Sequence, residues 1–146
     1  MMTFTPITAL DLPLLETWFQ DAELRRRLGG MLPLPRYFDY VASVPDYHAW
    51  MVCEDSVAVG AAVLEIAPDV PQSFGFFVNP ELRNRGYGRR IARALIEQPE
   101  AAGIKTFDVG VETDNEASRR CLEAVGFIKQ DGLDAEGFLH LVLNKD

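Results

Sequence analysis

Apolar residues recur at helical spacing over 10–28. Leu10, Leu14, Leu15, Trp18, Phe19 and Ala22 share one face, which predicts a helix, with Asp11 and Pro13 in its first turn and Gly29-Gly30 ending it. A proline-punctuated stretch, Met31 to Pro45, follows, with a short helix near Arg36–Ser43. Alternation then sets in. His48, Trp50 and Val52 alternate with Ala49, Met51 and Cys53, the turn Glu54-Asp55-Ser56 follows, and 57–66 forms a second strand, so 48–66 reads as a hairpin with a bulge at Gly60. Phe74-Gly75-Phe76-Phe77-Val78 is apolar on both faces and stops at Asn79-Pro80, as expected of a central strand. Residues 88–98 place Ile91, Ala92, Leu95 and Ile96 on one side of a helix and arginines on the other. Strict alternation marks a strand over 105–112, with Phe107, Val109 and Val111 facing one way and Thr106, Asp108, Gly110 and Glu112 the other. A helix over 115–125 follows, with Thr113 and Glu116 at capping-box spacing and Gly126 as its C′ glycine. Strands at 127–130 and 138–144 complete a mixed α/β sheet with helices on both faces, read as one domain over 1–146.

Composition narrows the class. The chain has 146 residues, 48% hydrophobic and 25% charged, the profile of a soluble globular protein. No window of 18 uninterrupted apolar residues predicts a membrane span, and the start, MMTFTPITAL, lacks the basic region of a signal peptide. Cys53 and Cys121 form neither a CxxC nor a metal spacing, so a reduced, cytoplasmic protein without a metal site is expected. A net charge of −8 disfavours nucleic acid and anionic membranes as partners. The charge is uneven. Arg83, Arg85, Arg89, Arg90 and Arg93 put +5 on an eleven-residue segment without an acid, which leaves −13 on the rest. Such an island is either a solvated helix face or a seat for an anion.

Sequence context favours the anion. Between the strand at 74–78 and the helix from 88 lies Arg83-Asn84-Arg85-Gly86-Tyr87-Gly88-Arg89. Glycines at 86 and 88 let the backbone approach a ligand, and the helix start presents free N–H groups and a positive dipole end to it. The segment is not a P-loop, since no Gly-Lys-Ser/Thr follows. Nor is it a dinucleotide fingerprint, since Ile91 stands where the third glycine would be.

Arg83, Gly86 and Gly88 match in full the signature of the GNAT N-acetyltransferases: Arg or Gln, two residues, Gly, one residue, then Gly or Ala. The run Asn115-Glu116-Ala117-Ser118-Arg119-Arg120-Cys121-Leu122-Glu123-Ala124-Val125-Gly126-Phe127 is similar to that family's Asn-led helix ending in Gly-Phe. The two matches lie in the family's order and separation and cover roughly 73–130. The resemblance implies a mostly antiparallel sheet of six or seven strands that splays open between 74–78 and 105–112. It implies acetyl-CoA as co-substrate. The pantetheine would pair with backbone at Phe76, Phe77 and Val78, and the pyrophosphate would sit at Arg83, Asn84, Arg85, Gly86, Tyr87, Gly88 and Arg89. Asn115 and Ser118 would meet the pantetheine arm, with Cys121 nearby. A backbone N–H of the central strand would polarise the acetyl carbonyl. Homodimers are common in the family, but no residue here signals one.

Two positions depart from the pattern. Leu122 stands where many members have a tyrosine that protonates the departing thiolate, and Ser73 where many have a glutamate base. Candidate bases are then Asp108 and Glu112, on the polar face of a strand expected to line the cleft, and Glu65, each weighed against a solvent-facing or arginine-paired role. Cys121 reads as a buried thiol, His48 and His140 as sheet residues, and Arg25, Arg26 and Arg27 as a solvated helix end. Tyr37, Phe38, Tyr40, Tyr47 and Trp50 either pack or line an acceptor pocket. The expected function is transfer of acetyl to a primary amine of a small cationic acceptor by direct attack in a ternary complex. The alternatives are a non-catalytic acyl-CoA-binding module and a nucleotide-binding regulatory domain.

Overall fold

The computed structural model describes residues 1–68 and 70–145. Its strands are β1 (Met2–Pro6), β2 (Tyr47–Glu54), β3 (Val57–Glu65), β4 (Phe74–Val78), β5 (Thr106–Glu112), β6 (Ile128–Lys129) and β7 (Phe138–Asn144). Its α-helices are α1 (Leu12–Trp18), α2 (Ala22–Leu28), α3 (Leu34–Ser43), α4 (Tyr87–Ile96) and α5 (Glu116–Val125). The strands form two antiparallel sheets, β1-β2-β3-β4 and β5-β7-β6.

The sheets meet at a parallel bridge between Gln72 and Phe107. There the Gln72 N–H donates to Thr106 at 3.0 Å, and the Gln72 carbonyl accepts from Asp108 at 2.8 Å. Beyond this vertex β4 and β5 share no ladder, so the splay expected between 74–78 and 105–112 is present. Helices cover both faces. Trp50, Val52, Val59, Ala62, Leu64 and Phe74 pack with Ile91, Leu95 and Leu122 on the side of α4 and α5. Met51, Ala61 and Phe77 pack with Leu15, Trp18, Phe19, Leu24 and Leu34 on the side of α1–α3. Among the described residues no helix is long and apolar enough to cross a membrane.

Several expectations need correction. The helix expected over 10–28 is two helices. Asp21 N-caps α2, its carboxylate accepting from the Leu24 N–H at 3.0 Å, and the same carboxylate pairs with Arg83, 62 positions away. That distant pairing selects the break over continuous helix. Strand β1 was not anticipated. It is a five-residue edge strand whose Met2 and Phe4 pack on the core. Thr113 does not cap α5. Asn115 does, accepting from the Ser118 N–H at 3.2 Å. The bulge falls one residue before Gly60, because Val52 pairs Gly60 while Cys53 pairs Ala58. Gly60 itself answers a close approach, since a Cβ there would lie 2.3 Å from the Phe77 carbonyl oxygen. Arg25 and Arg26 are exposed at the end of α2 as expected, but all three arginines are engaged and Arg27 is not solvated. Arg25 donates to the Phe19 carbonyl, Arg26 pairs with Asp114, and the largely buried Arg27 contacts Glu23, Glu112 and Asp114.

Candidate active site

Divergence of β4 from β5 opens a cleft of about 520 Å³. Its walls are α2 (Glu23, Leu24, Arg27, Leu28), the whole of β4, the loop residues Leu82, Arg83, Asn84, Gly86, Tyr87 and Gly88, β5 from Val109 to Glu112, the start of α5, and Phe138; Arg85 and Arg89 lie outside this lining. The backbone of β4 supplies its polar edge. In a strand, successive residues point their N–H and C=O groups to opposite edges. Asn79 donates to Val59 on β3, and Gln72 bonds β5. Gly75, Phe77 and Asn79 therefore face β3, while Phe74, Phe76 and Val78 face the cleft, where β5 has moved away. Phe77 offers no backbone group to a ligand. Its ring packs edge-on against Trp18 and Phe19 instead.

At the far end of β4 the chain enters the glycine–arginine loop. Asn84 and Gly86 both adopt positive φ, 63° and 83°, and Gly86 caps α4 with no side chain to accept its first N–H groups. These donors are left for an outside anion. Gly88 is needed for close packing, since a Cβ there would lie 2.8 Å from the Cys121 Sγ. The arginine island divides in two. Arg83 makes a bidentate pair with Asp21, Arg90 pairs with Glu54, and Arg93 donates to the Ala124 carbonyl. Arg83 holds the Asp21 carboxyl down at about 2, with help from the Leu24 N–H. Among the described residues only Arg85 and Arg89 of the five have no ion pair or side-chain hydrogen bond. The Arg89 guanidinium folds back over Gly86.

Of the other residues expected to hold a cofactor, Phe76, Val78, Arg83, Asn84, Gly86, Tyr87, Gly88, Asn115 and Ser118 all line the cleft. Arg83 lines it with its charge already spent on Asp21. Asn115 lines it with its Oδ1 engaged in the cap and its Nδ2 free of any hydrogen bond among the described residues. Cys121 lines it as a thiol whose pKa burial pushes up, with no partner that would make it a nucleophile. Leu122 is fully buried in the core, out of the cleft.

The three candidate bases separate. Glu112 lines the cleft but pairs with Arg27 at 3.2 Å. Asp108, expected in the cleft wall, is outside it, and its carboxylate lies 2.6 Å from His140 Nδ1. Glu65 lines a second cavity of about 310 Å³ with Tyr47, Gln72 and Ser73, on the α1–α3 face of the sheet. That cavity shares Phe74 and Gly75 with the cleft as lining residues, so the two lie on either side of the start of β4. Tyr47 is oriented by Tyr37, oxygen to oxygen 2.6 Å, and burial raises the Tyr37 hydroxyl's pKa. Sequence reasoning missed the roles of Asp21, Arg27 and Asp134. Their partners are far away in sequence or lie in a turn, and no spacing rule reaches them.

A splayed sheet, an open strand edge and a helix start with unclaimed N–H groups define a transferase class that grips an extended anionic carrier in a cleft. The comparisons agree. The model of the acetyltransferase (GNAT) family matches residues 12–127. An N-acetyltransferase of Bacillus subtilis (strain 168), YfmK, is 32% identical over 134 residues, covering 91% of this chain and 90% of that one. The chain belongs to the GNAT acetyltransferase family. Among solved structures, the fold matches Campylobacter jejuni N-acetyltransferase PseH in complex with acetyl coenzyme A, at TM-score 0.78 and 13% identity over the full length of both chains. It also matches aminoglycoside acetyltransferase AAC(6')-Ib in complex with coenzyme A, at TM-score 0.80 and 18% identity, covering 99% of this chain and 95% of that one.

Proposed function

We propose that this acetyltransferase uses acetyl-CoA to acetylate a primary amine on a small cationic acceptor. The observation that carries the reading is the continuity of the β4 edge with the start of α4. The free N–H groups of Phe76 and Val78 lead directly to unclaimed N–H groups flanked by Arg85 and Arg89, which are unpaired among the described residues. That sequence of donors suits an amide-bearing arm followed by a pyrophosphate, and the left-handed Gly86 suits close approach of the backbone to it. Both solved relatives described above were captured with coenzyme A or its acetyl ester.

When bound, acetyl-CoA would supply an acetyl thioester for direct attack by the amine, its sulfur leaving as a thiolate that needs no proton donor because the parent thiol's pKa is about 8.5. The chain's own residues do the rest. Arg85, Arg89 and the first turn of α4 hold the pyrophosphate. Phe76 and Val78 align the arm, and a β4 N–H near the vertex polarises the carbonyl. Asn115 donates to the arm through Nδ2. The second cavity seats the acceptor. Of the three candidates Glu65 is the carboxylate left to receive its proton, directly or through water, because Glu112 is paired with Arg27 and Asp108 is engaged by His140. An aminoglycoside acetyltransferase of this fold, also solved with kanamycin, makes a cationic polyamine a reasonable acceptor class. The acidic bulk of the chain favours such a cation.

Calorimetry with acetyl-CoA tests the first half. Wild-type protein binds, and the Arg85→Ala, Arg89→Ala double variant binds at least about tenfold more weakly with its thermal stability unchanged, because neither guanidinium holds the fold. Absence of binding by folded wild-type protein refutes the proposal. Thiol release with a panel of polyamines and aminoglycosides tests the second half. Glu65→Gln lowers turnover by about 10² while leaving acetyl-CoA affinity intact. Full turnover in that variant removes Glu65 from the mechanism.

A further inference from the structure

Both ring nitrogens of His140 face carboxylates. Nδ1 lies 2.6 Å from Asp108 on β5, and Nε2 lies 2.7 Å from Asp134 in the turn before β7. Asp134 organises that turn. Its Oδ1 accepts from the N–H groups of Glu136 and Phe138 at 2.9 Å each, and its own N–H donates to the Phe138 carbonyl at 2.9 Å. Phe138 in turn forms cleft wall beside Gly110. A continuous path therefore runs from β5 through the imidazole and the turn to a residue lining the cleft.

We propose that His140 is a positioning residue whose doubly protonated ring clasps the 134–138 turn to β5, fixes the Phe138 wall of the cleft, and lets that wall loosen when the ring loses a proton. The reason is an inventory of donors. Imidazolium has two N–H groups and satisfies two carboxylates. Neutral imidazole has one N–H and one lone pair, so one carboxylate then faces a lone pair. Asp108 is fixed by the β5–β7 ladder, whereas Asp134 sits in a turn, so the contact that yields is the one to Asp134. The charged groups facing the ring are Asp108 from β5 and Asp134 from the turn. From the β6 side only the Gln130 N–H meets His140, at its carbonyl, and among the described residues no cation pairs with either carboxylate. The hydrogen bonds to Asp134 and Asp108 raise the ring's pKa above its ordinary 6.5, so the clasp stays closed past that value and opens as pH rises through the raised one. Its contribution to stability is complete below about 6.5 and is lost as pH rises through the raised value.

The inference rests on the proposed function only in calling Phe138 a wall of a substrate cleft. The test needs no substrate, so failure of acetyl-CoA to bind and failure of the clasp are separate results. NMR follows the His140 ring nitrogens and the exchange protection of the Phe138 amide, corrected for intrinsic rate, from about pH 6 to about pH 9. In wild-type protein the protection falls about tenfold as the ring titrates, the loss of one charge-assisted hydrogen bond. In Asp134→Asn the new amide nitrogen donates to the lone pair of the neutral ring while Oδ1 still caps the turn, so the protection stays flat across the range. His140→Gln gives the low value at every pH. Amides of Val109 and Leu141 in the adjoining ladder report that each variant is folded. Protection of Phe138 that ignores the ring's titration in the wild type, or that follows the wild-type profile in Asp134→Asn, overturns the proposal.

Discussion

Residue-level constraints are sharpest at the glycines that sit against other backbone. A Cβ at Gly60 would overlap the Phe77 carbonyl oxygen and lie 2.6 Å from the Ile91 side chain, with only the latter free to move. Gly60→Ala is expected to destabilise the protein by about 1–3 kcal/mol in urea denaturation, the usual cost of overpacking. Gly103→Ala is the control. Nothing lies within 4 Å of its Cβ position. There the expected change is a gain of about 0.4–1 kcal/mol, from the narrowed unfolded ensemble. Equal effects at the two positions would contradict the contact geometry. The glycines at 86 and 88 were legible as a loop before a helix because the pattern lies within a few neighbouring residues, but the Cys121 thiol that excludes a side chain at Gly88 lies on another helix and was not. The role of Gly60 was legible only as an irregularity, because the atom that excludes a side chain belongs to a strand 17 positions away.

Elements are held in place by a few charged residues that the hydrophobic pattern does not reveal. Asp21 serves two elements at once, capping α2 and anchoring the start of the glycine–arginine loop through Arg83. Its carboxyl, at about 2 against an ordinary 3.8, is depressed in the folded state. The contribution to stability is therefore present above about pH 4 and lost as the pH falls towards 2. Arg83→Ala should cost roughly 1–3 kcal/mol by leaving that carboxylate without its partner. It should also flatten the acid limb of the stability profile, as followed by denaturant midpoints across pH. The consequence for function is specific. The signature arginine of the loop acts here through the fold, so its loss should disturb α2 and the cleft wall more than it weakens phosphate binding. With Arg85 and Arg89 as the proposed pyrophosphate holders, their loss should do the reverse. Strand 74–78 and helix α5 were legible because each is defined by its own residues, apolar on both faces in one case and closed by Gly126 in the other, although the N-cap of α5 is Asn115 and not Thr113. The α1–α2 break and the Asp108–His140 contact were not. They depend on partners 62 and 32 positions away, which appear only once the chain has folded.

At the scale of the whole molecule, the functional fact is that two sheets share one hinge line. Gln72 holds the vertex with its backbone, and its buried side chain accepts from the Ala67 N–H at 2.8 Å and donates to the carbonyls of Ala67 and Val70. On one side of that point the strands pair, and a few residues later they have parted wide enough for a cofactor arm. The two edges of β4 should then behave oppositely in amide exchange. Gly75 and Phe77 donate into the β3 ladder and should be protected in the free protein. Phe76 and Val78 point into the cleft and should exchange at nearly the rate of unstructured chain, despite sitting in the centre of the molecule. Asp108, bonded to Gln72 across the vertex, should be slow like Gly75. On adding saturating acetyl-CoA, protection should rise by at least about tenfold at Phe76 and Val78 and little at Gly75 and Phe77. Such a rise is what trading water for an ordered acceptor produces. Uniform protection along β4 in the free protein would mean that the two sheets close over one another in solution and that the cleft must open before a ligand enters. Uniform protection only after binding would mean that the ligand rigidifies the strand without pairing to its edge. The alternating pattern alone identifies the free edge of β4 as the surface that reads the arm.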